Sequence, residues 1–180
     1  MATVAVAAAL APVASASGRD VQRLLAPAAA CPASMDATAP ADVQVRAMAC
    51  LVEYVRDQAG LPSLRVSRVL DRAAAMKIDA DVRCAQFSHT PCGTSFLSVF
   101  SRSGYTASHT AFAVGENLAW TPTRIASPRD VMNLWLHSPE HLRNLLSPEW
   151  QEFGLGVRAG FDFLGVHGAS LWANEFGARH

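Results

Sequence analysis

The chain is 180 residues long, with fifteen Lys plus Arg against fifteen Asp plus Glu and a formal net charge of zero. A neutral chain with 17% charged residues lacks the electrostatic footprint of a nucleic-acid binder, and its 51% hydrophobic content argues against global disorder. It contains no run of about 18 strongly apolar residues, so no permanent membrane span is expected.

Residues 1–16 run through an apolar stretch, Ala2 to Leu10, to Pro12 and then Ala14-Ser15-Ala16. This small-x-small ending predicts a signal peptide cut before Ser17, and hence a secreted or envelope protein; a plain alanine-rich tail is the other reading. Residues 17–40 carry Pro27, Pro32 and Pro40 and read as an Ala/Pro-rich linker or arm ahead of a domain over 41–180. Four cysteines, Cys31, Cys50, Cys84 and Cys92, show no CxxC spacing, which speaks against a zinc ribbon or thioredoxin-like site. Three connectivities are open to them. Pairing neighbours, Cys31–Cys50 and Cys84–Cys92, would close one medium and one short loop, each worth about 2–4 kcal/mol.

A helix is predicted from Ala41 to Ala59, with Val45, Met48, Val52 and Val55 at helical spacing and Arg56 off that row; Gly60 and Pro62 end it. Ser67 caps a second helix reaching Cys84, with Val69, Ala73, Met76 and Ala80 as its apolar row. A short helix over Ser95–Ser103 stops at Gly104. Ser127-Pro128-Arg129-Asp130 opens another, pointing Val131, Leu134 and Trp135 inward, and Ser138-Pro139-Glu140 restarts it. Phe153, Leu155, Val157 and Ala159 then alternate with Gly154, Gly156 and Arg158, as a strand with one apolar and one bare face. Leu171 to Phe176 is its expected partner, reached through a turn-rich Gly160–Gly168 region. Helices early and strands late predict a layered α+β domain, and no phosphate-binding glycine motif is present.

Three segments put ionisable groups in unusual company. His89 sits in Phe87-Ser88-His89-Thr90 between Cys84 and Cys92, where a disulfide would fix the ring in place. Glu116 lies in the apolar segment Gly115-Glu116-Asn117-Leu118-Ala119-Trp120. A buried carboxylate needs a partner there; a solvent-facing Glu on an edge strand is the other reading. His137, Glu140 and His141 match the text of an inverted zincin motif, but Pro139 breaks the continuous helix that motif requires. His141 alone, in the first turn of a helix, is biased towards the neutral imidazole that binds metals or accepts protons. His109, His167 and His180 read as loop or tail residues.

Phe87-Ser88-His89-Thr90, Gly115–Ala119, Trp135 with Ser138–Asn144, Gly154-Leu155-Gly156-Val157 and Phe176-Gly177 occur in that order. Together they resemble the CAP superfamily of cysteine-rich secretory, antigen 5 and pathogenesis-related 1 proteins, in its bacterial SCP-like branch. The resemblance runs from about Val45 to Gly177. It implies a three-layer α-β-α sandwich with a small, largely antiparallel sheet and a cleft lined by a His/Glu/Glu/His tetrad. His89, Glu116 and His141 match three tetrad positions. The animal and plant pattern puts its second Glu where this chain has Ser138, and Glu140 stands nearby, leaving the fourth position open.

The carried-over trio of His89, Glu116 and His141 suits a zinc-like divalent cation. The implied function is a secreted, non-enzymatic, monomeric binding module, its cleft lined by His89, Glu116, His141, Ser138 and Glu140. It would take a metal and a small-molecule, lipid or envelope ligand. The alternative is a metal-assisted hydrolase of extracellular peptide or cell-wall material, for which no nucleophile with its base stands out.

Overall fold

The computed structural model describes residues 18–107, 111–121 and 127–179, with side chains from residue 21 onward. The expected signal peptide over 1–16, together with His109 and His180, lies outside them. Four strands form one sheet in the order β1-β3-β4-β2: β1 Arg65–Val66, β2 Phe112–Thr121, β3 Glu152–Phe163 and β4 Val166–Arg179. β2 and β3 both pair antiparallel with β4, and the two-residue β1 pairs parallel with β3. The hairpin joining β3 to β4 turns at Leu164 and Gly165, with φ of 49° and 79°. Two positive φ values in succession give the primed turn that matches strand twist. The expected Gly160–Gly168 turn region is therefore mostly strand, with the reversal confined to two residues.

Helices cover both faces of this sheet. α2 (Ala41–Gln58), α5 (Pro128–Leu136) and α6 (Pro139–Leu145) share the main core with Phe153, Leu155, Trp172 and Phe176. α3 (Arg68–Cys84) packs with the alternate residues, such as Leu118, Leu171 and Ala173, on the other face, and α4 (Ser98–Ser103) packs against α3 through Val99 and Phe100. The α+β three-layer sandwich expected from the family resemblance is the observed architecture. The bare face of β3 has a clear use: a Cβ on Gly154 would stand 2.2 Å from the Leu70 carbonyl carbon and 2.3 Å from the Asp71 nitrogen. Missing side chains let the α3 backbone lie directly on the strand.

Several expectations need correction. Of the two readings of residues 17–40, linker or arm, the described part fits the arm, packed more closely than expected: α1 (Gly18–Leu24) buries Val21 and Leu24, and Ala26 and Cys31 belong to the main core. Pro and Ala were poor guides there because Ala and Cys are small core residues as readily as loop residues. Leu134 is 51% exposed, and Met132 and Leu136 fill the core beside Val131 and Trp135 instead. Arg56 is fully buried, donating to the carbonyls of Pro62, Leu145 and Ser147, so it ties the ends of α2 and α6 together. On α3 the buried row is Leu70, Ala73, Ala74, Lys77, Ile78, Ala80 and Asp81, so Ala73 and Ala80 are buried as expected, whereas Val69 and Met76 are half-buried. Two charged residues occupy core positions, which a hydrophobic pattern assigns to solvent.

The cysteines pair as neighbours, Cys31–Cys50 and Cys84–Cys92. The first joins the N-terminal arm to α2. The second ties the end of α3 to the turn after Pro91 and so closes the loop carrying His89. Among the described residues no helix is long and apolar enough to cross a membrane.

Candidate functional site

The site forms at β2, which borders the sheet. An edge strand exposes unpaired carbonyls, and here side chains cover two of them. Trp135 Nε1 donates to Leu118 O at 3.0 Å, and Asn144 Nδ2 donates to Glu116 O at 3.0 Å. Asn144 also donates to Asn117 Oδ1 at 2.8 Å, while Asn117 Nδ2 donates to the His141 carbonyl at 3.0 Å. Trp150 Nε1 in turn donates to Asn144 O at 2.9 Å. Its indole lies so near Gly115 that a Cβ there would be 2.8 Å from it. The close approach that Gly115 permits is thus to a side chain. This lattice fixes α6, and with it His141, against β2.

Glu116 is buried although its strand is the sheet edge, so the solvent-facing alternative fails. Its side chain shares the α3 face with Leu118, and Glu175 stands directly opposite it in the β2–β4 register. His89 Nδ1 lies 2.5 Å from Glu116 Oε1, and Lys77 Nζ lies 3.6 Å from the same oxygen. Lys77 Nζ also donates to Ser88 O at 2.5 Å. The His89 side chain is 55% exposed, that of Glu116 only 1%. One ring nitrogen is therefore held by a buried carboxylate, and the pair presents the other edge of the ring outward.

The electrostatics follow from this packing. The Glu116 hydrogen bond raises the His89 pKa above its ordinary 6.5, against burial, which lowers it. Burial lowers the His141 pKa, and the His89 charge lowers it further, so the two imidazoles lie within electrostatic reach of one another. Among the described residues the His141 ring makes no hydrogen bond or ion pair with His89 or Glu116. Behind them, burial pushes Asp81 up to about 6, with Lys77 opposing the rise and Glu116 adding to it. Glu175 is raised well above the usual carboxyl range by burial and then by Glu116.

The remaining candidates sit around this centre. Ser138 is the N-cap of α6 and half-buried, with no side-chain cap bond; Glu140 is exposed in the first turn. His137 closes α5 and bonds back to Asn133 O, so Pro139 does separate it from His141. Among the described residues no group of three or more His, Cys, Asp or Glu side chains is placed to hold a metal ion. Glu116 already serves His89 and Lys77, which fits an orienting partner better than a direct ligand. The donors suited to a cation are the two imidazoles. A separate groove of about 370 Å³ between the arm, α2 and β3, lined by Thr38, Gln44 and Val157 among others, contains none of these residues.

Sequence reading missed Lys77, Asp81 and Glu175, and met Asn117 and Asn144 only as parts of motifs, without a role. One signal was available: Lys77 is the single lysine of the chain and shares a helix face with Asp81 four residues on.

The family model described as the cysteine-rich secretory protein family matches residues 51–162. Among solved structures, the chain is similar to an extracellular protein with an SCP domain from Bacillus anthracis, at 19% identity and a TM-score of 0.61. That match covers 76% of this chain and 40% of that one. An outer surface protein from Borrelia burgdorferi is 18% identical with a TM-score of 0.61, covering 76% of this chain and 93% of that one. A cysteine-rich secretory protein from Staphylococcus aureus is 13% identical with a TM-score of 0.56, covering 77% and 39%. At these identities the likeness shows a shared fold. No curated protein matches the chain. With the matched span, the ordered motifs and the sandwich in agreement, the chain belongs to the cysteine-rich secretory protein (CAP) family.

Proposed function

We propose that this protein is exported and acts outside the cell or at its envelope as a binding module, without an enzymatic step, through the cleft of His89, Glu116 and His141. The observation that carries this reading is the His89–Glu116 contact of 2.5 Å, which joins a solvent-reachable ring to a buried carboxylate. A carboxylate bonded to one nitrogen of an imidazole fixes the tautomer and raises the basicity of the other, the usual outer-shell arrangement of a metal-binding histidine. His141, biased towards its neutral form, supplies a second nitrogen. The two imidazoles would hold a zinc-like divalent cation, and Glu116 would orient His89 towards it. Phe87 and Leu97, 40% and 42% exposed near His89 in the chain, offer apolar surface to a small or lipid-like ligand. The leader pattern and the two disulfides support export.

Thermal melting with and without saturating zinc tests this. The expected result is a zinc-dependent rise in Tm for the mature protein and none for His89→Ala or His141→Ala. An unchanged wild-type Tm contradicts the cation reading.

Metal-assisted hydrolysis is the second reading, favoured by the same His–carboxylate pair, which has the form of a base with its orienting group. Among the described residues no Ser, Thr or Cys side chain bonds the His89 ring. Zinc-dependent cleavage of peptide or glycan that disappears in His89→Ala would promote this reading above the first.

A further inference from the structure

Lys77 is 1% exposed and is the one lysine among fifteen basic residues. Its Nζ touches two different elements. It donates to Ser88 O at 2.5 Å and stands 3.6 Å from Glu116 Oε1. The orientation of the His89 ring depends on both, since Ser88 sets the backbone from which the ring projects and Glu116 holds its Nδ1. The disulfide does not do this work alone. Ser88 lies four residues from each of Cys84 and Cys92, the point of the loop least constrained by the crosslink. The chemistry also suits lysine: a compact ammonium on a flexible stem can meet acceptors that diverge in space, whereas a guanidinium needs them in one plane. Asp81 and Glu175, both buried, surround the same group, and without Lys77 the acidic side chains there would have no buried counter-charge.

We propose that Lys77 is the positioning residue of the cleft, a buried cationic tether that holds the Ser88 carbonyl and the Glu116 carboxylate at once and so aims the His89 ring. The inference deepens the reading of the cleft as a ligand site, but its test contains no ligand. A single lysine permits selective labelling with [15Nζ]-lysine, which yields one side-chain signal. In the wild-type protein that ammonium exchanges slowly with water and shows NOEs to protons of Ser88 and His89. Above the pKa of the ring, nitrogen-15 spectra show His89 as the Nδ1–H tautomer. In Lys77→Met the His89 tautomers mix and amide exchange at Ser88–Thr90 accelerates at least tenfold, while the His137 and His167 rings keep their spectra. Lys77→Arg gives the same result, because its fork cannot meet both acceptors.

A folded Lys77→Met protein with an unchanged His89 tautomer and unchanged amide exchange overturns the proposal. Should that variant fail to fold, the wild-type signal decides: an Nζ resonance broadened by rapid exchange, without NOEs to the His89 loop, overturns it equally. Failure of zinc to bind, with these signatures intact, would count against the cation reading and leave the tether standing.

Discussion

His89 Nδ1 and Glu116 Oε1 lie 2.5 Å apart, although one side chain is 55% exposed and the other 1%. The contact turns a surface loop into a reporter of a buried strand. Its hydrogen bond raises the His89 pKa above 6.5, so the folded state holds the proton more tightly than the unfolded chain does. The stabilisation is fully present below pH 6.5 and is lost as pH rises through the raised pKa. Glu116→Gln should lower the His89 pKa and flatten this part of the stability profile. Proton NMR titration of His89 and urea unfolding from about pH 6 to about pH 9 measure the two effects. The His141 pKa should fall below 6.5 in the same titration.

Asp81 titrates in the same sense as His89, at lower pH and against the usual behaviour of a carboxylate. Burial raises it from 3.8 to about 6 despite Lys77, so the folded state binds more protons within that window. Stability therefore falls as pH climbs from 3.8 to about 6. Asp81→Asn, which mimics the protonated acid, should be more stable than wild type at neutral pH by of order 1 kcal/mol. That advantage should disappear in acid. A neutral-pH loss of stability in the variant would mean that the Asp81 charge is favourable to the fold.

Gly154→Ala should be among the most destabilising single-methyl additions in the protein. Its Cβ would meet main-chain atoms of Leu70 and Asp71 at 2.2 and 2.3 Å, which cannot swing aside as a side chain can. Overpacking of this kind costs about 3 kcal/mol, read as a drop in the denaturation midpoint at unchanged m-value.

The two disulfides should separate stability from site order. Cys31 is fully buried in the main core and ties the arm to α2 across 19 residues. Replacing Cys31 and Cys50 by Ala should cost about 3 kcal/mol. Replacing Cys84 and Cys92, which close a loop of 8 residues, should cost less but speed hydrogen exchange around His89. Thiol titration of the denatured wild-type protein should find none free.

Much of the fold was legible because its signals are local. Ser127-Pro128 predicted the start of α5 and the structure shows a full capping box with Asp130; Ser138-Pro139 predicted the break before α6. The alternation of Phe153, Leu155 and Val157 with glycines marked β3 and its apolar face. What periodicity could not reveal was charge placed inside. Arg56 and Lys77 sit at core positions because carbonyls and a carboxylate from other parts of the chain await them, and Asp81 is buried one helical turn from Lys77. Those partners are up to 91 residues away, and no local pattern encodes them. The site shows the same division. His89 and Glu116 were singled out by their surroundings in sequence, whereas Glu175 became visible only through the strand register that sets it opposite Glu116.

The central claim is that the His89 and His141 rings serve one ligand, and nitrogen-15 imidazole spectra during a zinc titration test it most directly. The account predicts that the outward nitrogens of both rings shift together and saturate at one ion per chain, while His137 and His167 stay unmoved. Zinc that leaves both rings unchanged, or that moves His137 and His167 instead, contradicts it.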